Sequence, residues 1–375
     1  MERVLVTGAR APISYEVVQQ QVALGRVVVL SDSTKKVSIK KSKFIEKFIL
    51  TTSPRFSTQE YINDINRIIK EERIDFILPL NEEAFYLSQY RHQIHAPIWV
   101  EDMTKMVSVH NKYNFTKLVE SLGFKVPDTE YVQSHQELTR FMNDFPGDEY
   151  IIKQPYGRFS QSVRKLTLME IENDHNIEFP FMIQTLIKGV EWCSYSMAYK
   201  GEALSTSLYL SNTHDSYNCS THFHSQQNPE LKAIIESLIQ QLDWSYQIAF
   251  DVIKCDTTGD YYFIECNPRA TNGALFMQPE VWLLKPCEPK YEARQLIFVS
   301  LYNLIMRPKK HNFEKLKYGK DVFWHPSEKV IFFEQLISGA KWWISAKQAK
   351  VKVNSITTHD IEWNIDGQER FEGSY

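Results

Sequence analysis

The sequence predicts an α/β protein that opens on a doubly wound parallel sheet and continues into a larger mixed α+β region. Three observations carry this. Short apolar runs alternate with amphipathic helical stretches over roughly the first hundred residues, the signature of strand–helix–strand units in a parallel sheet. The middle of the chain holds strands on both sides of one long amphipathic helix. The 375 residues are too many for one ordinary core, so roughly two to four packed lobes are expected.

The segment "RVLVTGARAPISYEVVQQQVALGRVVVLSD" reads as strand, turn, helix, strand. Val4–Val6 form the first apolar run and Gly8 starts the turn. Val17, Val18, Gln21 and Val22 follow helical spacing, Gly25 ends the helix, and Val27–Leu30 form the second strand. Ile62, Ile65, Ile68 and Ile69 mark another amphipathic helix, followed by the strand "IDFILPL" at 74–80. The turn "TGARAP" has one glycine, so the G-x-G-x-x-G dinucleotide fingerprint is missing and a nicotinamide-binding reading is disfavoured.

In "SVHNKYNFTKLVESLGFKVPDT", Phe115, Leu118, Val119 and Leu122 fall at i, i+3, i+4 and i+7, which predicts a helix with one buried face. Gly123 stands at the C-cap position and Lys112 at the helix start, where spacing alone reads as a solvated lysine. Residues 150–200 read as strands. A helix follows at about 229–242, with Leu231, Ile234, Ile235, Leu238 and Ile239 on one face. "YQIAFDVIKCDTTGDYYFIECNPR" reads as two strands joined by the turn "DTTGD". The basic, polar stretch 308–320 reads as a linker, and 329–353 as helical and apolar on one side, with Trp342 and Trp343 as packing residues.

Composition sets limits. Hydrophobic residues make up 43% and charged residues 24%, ordinary for a globular protein, and a net charge of -3 offers no basic footprint for nucleic acid. The five cysteines form no C-x-x-C pair, which points to a reducing compartment. "MERVLVTGAR" lacks the layout of a signal peptide, and no apolar run reaches the ~20 residues of a membrane span. A cytoplasmic location without membrane association is expected.

The chemistry converges on "YYFIECNPRATNG". Asp251 lies inside the first strand of the presumed hairpin, and Glu265 and Asn267 at the end of the second. Alternation along the strands lets the three share a face where register allows. Two carboxylates and an amide form a hard, oxygen-rich set suited to Mg²⁺, which borrows further oxygens from water and phosphates. Arg269 could then steady charge on a transferring phosphoryl group. The bland alternative is a set of solvated strand ends, though buried like charges repel without a cation between them. Cys219, His222 and His224 do not match a common zinc spacing and read as part of a loop. Asn81, Glu82 and Glu83 read as a helix cap ahead of a site for a substrate amine.

"FIECNPR", preceded by the aspartate of "IAFDVIK", resembles the metal-binding core of the ATP-grasp superfamily. "NKYNFTKLVESLGFKVPDT", "YIIKQPYGRFSQSV" and "IQTLIKGVEWCSYS" resemble its early-lysine helix, its lysine strand with phosphate-covering loop, and its hinge. The resemblance covers about residues 1–305. It implies a Rossmann-like pre-ATP-grasp domain at 1–105, like that of biotin carboxylase and carbamoyl phosphate synthetase. A two-lobed ATP-grasp domain would follow at 106–307, with its lid subdomain at about 125–187, and then a C-terminal extension at 308–375.

The resemblance further implies ATP with Mg²⁺, Mn²⁺ being a substitute. Lys112 and Lys153 would reach the phosphates, Lys153 acting with Arg269 in catalysis. Gln184 to Leu186 would meet the adenine and Glu191 the ribose. Asp251, Glu265 and Asn267 would hold the metal. The covering loop has one glycine where many members have several, so Ser160, Gln161 and Ser162 would donate in its place, with Arg158 adding charge. The implied activity is ligation: a carboxylate, expected to be that of an amino acid, is activated as an acyl phosphate and passed to an amine or carrier thiol, giving ADP and phosphate. Small-molecule carboxylate and amine substrates are the implied partners; an acyl carrier protein and a homodimer stay open. The alternative is a regulatory or catalytically weak ATP-binding protein of the same fold.

Overall fold

The computed structural model describes residues 1–157, 163–174, 177–211, 221–306 and 319–363. The chain divides into two compact units: Met1–Met103, Ser194–Ala249 and Arg269–Trp363 in the first, Thr104–Cys193 and Phe250–Pro268 in the second.

The first unit begins with strand β1 (Arg3–Thr7), helix α1 (Ser14–Ala23), β2 (Val27–Asp32), β3 (Lys47–Leu50), α2 (Thr58–Glu72), β4 (Phe76–Pro79) and α3 (Glu83–Gln89). The strands lie in the order β3-β2-β1-β4, all parallel, with Val4 opposite both Val28 and Phe76. Val4, Leu5, Val6, Val28, Val29 and Leu30 are buried, as expected for strands covered on both faces. The isoleucines Ile62, Ile65 and Ile68 form the buried stripe of α2, which Arg73 ends in a left-handed conformation. The strand order reverses beside β1, so the carboxyl ends of β1 and β4 flank a switch point. Strand β3 was not anticipated; its four residues "KFIL" are too short for periodicity to declare.

The second unit holds α4 (Met103–His110, entering from the first unit), α5 (Lys112–Ser121), β5 (Thr129–Val132), α6 (His135–Asp144), β6 (Glu149–Lys153), β7 (Arg164–Thr167), α7 (Leu168–Asn173) and β8 (Phe181–Thr185). Strands β5-β8-β6-β7 form an antiparallel sheet. Its apolar face, with Val132, Tyr150, Ile152, Phe181 and Ile183, packs with Leu138 and Phe141 of α6. The all-strand reading of 150–200 needs correction at α7, where Thr167 and Glu170 form a capping box that starts a short helix.

Strand β9 (Gly189–Tyr199) and, further on, β12 (Tyr246–Cys255) each contribute residues to both units. In the second unit their ends join β13 (Tyr261–Asn267) in the order β13-β12-β9. In the first unit the order runs β12-β9-β10-β11-β14-β15, with β10 (Glu202–Ser211), β11 (His222–Ser225), β14 (Ala293–Gln295) and β15 (Lys320–Asp321). Helix α8 (Pro229–Gln241) packs against β10 through its apolar face. Residues 222–225 are therefore a strand and not a loop: pairing with β10 and β14, distant in sequence, overrides the polar local pattern.

The long helix Lys329–Ala349 and the short helix Val353–Thr358 complete the first unit. The long helix is apolar on more than its packed side: Val330, Phe333, Leu336, Ile337, Trp343 and Ile344 are exposed. Trp343 thus packs less than expected, whereas Trp342 lies beside Lys36 and donates to its carbonyl. The last described residues strap onto the N-terminal sheet. Asp360 pairs with Arg10, Tyr86 donates to the Glu362 carbonyl, and the buried Trp363 ring stacks on Phe85 at 5.2 Å. The linker expected at 308–320 lies largely outside the described residues. Among the described residues no helix is long and apolar enough to cross a membrane.

Candidate nucleotide and metal site

Of the residues expected from sequence, Lys112, Lys153, Gln184, Leu186, Glu191, Asp251, Glu265 and Asn267 fall in the second unit. Helix α5 starts where it does because the Asn111 side chain accepts from the backbone N–H groups of Tyr113 and Asn114, both at 3.0 Å. Its buried face carries Phe115 and Val119, and Phe115 stacks on Phe250 of β12 at 6.0 Å. This packing sets Lys112, the first residue of the helix, close to β13. Lys112 is buried rather than solvated. Its backbone N–H donates to the Pro155 carbonyl, its Nζ donates to the Gly157 carbonyl at 2.9 Å, and Nζ lies 3.4 Å from Glu265 Oε2.

Lys153 is the last residue of β6, and its Nζ donates to the Ile264 carbonyl at 3.3 Å. Burial, then the positive charge of Lys112, pull the Lys153 ammonium down to about 8, while Glu265 and Asp251 resist. Asp251 is pushed up to about 7 by burial first, then by Glu265 and Glu191, with Cys193 and Lys112 pulling the other way. Two ammonium groups and two carboxylates therefore share one poorly hydrated spot, and Glu191 is near enough to be felt there. Such a cluster suits a polyanionic ligand with its own counter-cation.

Asp251 is held up partly by a neighbouring carboxylate, a repulsion that a hard divalent cation would relieve. Among the described residues no group of three or more His, Cys, Asp or Glu side chains is placed to hold a metal. The expected set has only two such residues, its third member being the amide of Asn267 at the end of β13.

The hinge residues fall at the end of β8 and just beyond. The Gln184 side chain is turned inward, donating to Thr129 Oγ1 at 2.8 Å, and its backbone is paired in the sheet opposite Thr129 of β5 and Ile151 of β6. Leu186 is half-buried in the connection to β9, where Glu191 follows. Gly189 has a structural reason: a Cβ there would lie 2.0 Å from the Lys254 carbonyl oxygen. Gly189→Ala should part β9 from β12 and cost about 3 kcal/mol, read as a lowered urea midpoint.

Arg269 lies in the first unit, where its guanidinium is 3.6 Å from Glu82 Oε1 and donates to the Ala270 carbonyl. Ser160, with Arg158, Gln161 and Ser162 of the covering loop, lies outside the described residues, as does Cys219. One neighbour was missed. Cys193 helps to hold the Asp251 carboxyl down, and period two along β9 from Glu191 could have found it. Glu82, read from sequence as a cap or an amine site, lies beside Arg269.

Residues 109–273 match the family model described as an ATP-grasp domain. Over 87 residues the chain is 30% identical to an uncharacterized protein of Methanocaldococcus jannaschii, a match covering 23% of this chain and 22% of that protein. Among solved structures, N5-carboxyaminoimidazole synthetase from Staphylococcus aureus complexed with ADP aligns with TM-score 0.63 at 12% identity, over 84% of this chain and 86% of its own. The biotin carboxylase domain of Hydrogenobacter thermophilus 2-oxoglutarate carboxylase, in complex with MgADP and bicarbonate, gives 0.59 at 15% identity over 75% and 66%. L-amino acid ligase from Bacillus licheniformis gives 0.54 at 13% identity over 73% and 68%.

Proposed function

Starting from a chain that carries an ATP-grasp domain over residues 109–273, we propose that it is an ATP-dependent ligase joining a carboxylate to an amine, with ADP and phosphate as products. The observation that carries this reading is the pairing of two buried lysines, Lys112 and Lys153, with the carboxylates of Asp251 and Glu265. A protein that only needed a stable fold would gain little by burying two ammonium groups beside two partly buried carboxylates. Among the solved structures of similar fold, the L-amino acid ligase favours an amino acid as the carboxylate donor, and a carrier thiol is a second acceptor class.

In this reading Lys112 and Lys153 hold phosphate oxygens, each as a compact charge on a flexible stem. The backbone at Gln184–Leu186 meets the adenine and Glu191 accepts from the ribose hydroxyls. Asp251, Glu265 and Asn267 would hold Mg²⁺, which when bound neutralises phosphate charge. A substrate carboxylate oxygen attacks the γ-phosphorus and the bond to the ADP oxygen breaks. The amine then attacks the acyl carbon, phosphate leaves, and the amine loses a proton. Arg269 is assigned to the transferred phosphoryl group.

The test is product identity. With Mg²⁺, ATP and single amino acids, the full chain should form ADP and phosphate, and added hydroxylamine should trap a hydroxamate. Arg269→Ala should lower hydroxamate yield about 10–100-fold. AMP and pyrophosphate as products would overturn the reading, and nucleotide binding without carboxylate-dependent ADP release would favour the regulatory alternative.

A further inference from the structure

At the switch point of the first unit, a cavity of about 10 Å³ is lined by Thr7, Ser31, Asp32, Thr51, Tyr61 and Glu83, with Ile361 of the C-terminal strap on one side. That volume admits one water-sized species. The polar side chains that line it, those of Thr7, Ser31, Asp32, Ser33, Thr51, Tyr61 and Glu83, all end in oxygen. Three buried oxygens here have no hydrogen-bond partner in the protein: Ser31 Oγ, Thr51 Oγ1 and Glu83 Oε2. The Tyr61 hydroxyl lies beside them, next to Thr7. Buried polar atoms are rarely left so, and three around one small space are not chance packing.

The arrangement of charge narrows the occupant. Glu83 is firmly held through its other oxygen, Oε1, which accepts from Thr7 at 2.8 Å and from the N–H groups of Leu80 and Asn81 at 3.1 and 3.2 Å. Gly8 lets the carboxylate approach, since a Cβ there would lie 2.5 Å from Oε1. The nearest guanidinium, Arg10, is fully engaged with Asp32, Asp360, Ser33 and the Thr357 carbonyl. Asp32 and Asp360 thus take up the Arg10 guanidinium, and Lys36 lies near enough to Asp360 to be felt there, whereas among the described residues no ion pair reaches Glu83. An anion is repelled, and a water would satisfy hydrogen bonds while leaving the charge uncompensated.

We propose that this cavity binds a small monovalent cation, an ammonium group or an alkali-metal ion, through the Glu83 carboxylate and the hydroxyls of Ser31, Thr51 and Tyr61. The ammonium could belong to a free ion or to the head of a primary amine. The competing state is a neutral, protonated Glu83 beside a water. The proposal stands apart from the ligase reading, because no residue of the nucleotide site takes part.

Thermal unfolding of the full chain decides it, in KCl, NH4Cl and methylammonium chloride against tetramethylammonium chloride at matched ionic strength. One or more of the small cations should raise Tm saturably by roughly 2–4 °C, and Glu83→Gln should abolish the rise. A response to K⁺ and NH4⁺ identifies a free ion; a response to methylammonium alone identifies an amine head group. Should Glu83→Gln fail to fold, Thr51→Val decides in its place, with a weakened ion response expected. Equal Tm in all four salts overturns the proposal, as does a rise that persists unchanged in the variant that folds.

Discussion

Glu265→Gln is expected to lower carboxylate-dependent ADP formation about 10³-fold or more with far-UV circular dichroism unchanged. The substitution keeps the volume at the end of β13 and removes only charge. Three consequences follow at once. Lys112 loses the carboxylate 3.4 Å from its ammonium. The metal set keeps a single carboxylate, Asp251. Glu265 also supports the Lys153 ammonium, which burial and Lys112 already hold down at about 8. Removing that support lowers it further, so less of Lys153 is charged as pH rises. The KM for ATP in Glu265→Gln should therefore climb more steeply from about pH 7 to about pH 9 than in the unsubstituted protein. Turnover retained in a folded variant would remove Glu265 from the site.

Trp363→Ala is expected to destabilise the first unit by about 3–5 kcal/mol. The indole is fully buried, stacks on Phe85, and its backbone N–H donates to Glu82 Oε2 at 3.1 Å. Deleting the ring leaves a cavity against helix α3, whose close packing limits how far it can collapse. Urea unfolding followed by intrinsic fluorescence would measure the loss. Because Glu82 also faces Arg269 at 3.6 Å, the variant should lower hydroxamate yield as well. A change below about 1 kcal/mol would mean that the strap adds little to the sheet it covers.

What the sequence disclosed, and what it withheld, divides along the range of the interactions. Helix α5 could be read from its apolar spacing and its glycine, and the hairpin carrying Asp251 and Glu265 from its alternating residues and turn, because both patterns are local. The burial of Lys112 could not. It depends on Pro155 and Gly157, more than forty residues away, folding over the helix start. His222–Ser225 looked like a loop because its partners come from distant parts of the chain. The carboxylates of "NEE" resembled a helix cap, and Glu83 does accept from backbone N–H groups there, but Glu82 is spoken for by Trp363, 281 residues on.

The strap also bears on how the protein is made. Arg10 and Asp360 are 350 residues apart, yet they share a hydrogen-bonded pair. On the ribosome, the N-terminal sheet emerges early, with Arg10 lacking Asp360 and Phe85 lacking its indole cover. At ~5–20 residues per second that interval lasts roughly 20–70 s. Vectorial synthesis therefore leaves this lobe unfinished until residue 363 has emerged. A chain stalled or cut before residue 360 would present a charged, partly uncovered lobe to chaperones and proteases, so the strap sets the moment at which the first lobe can close.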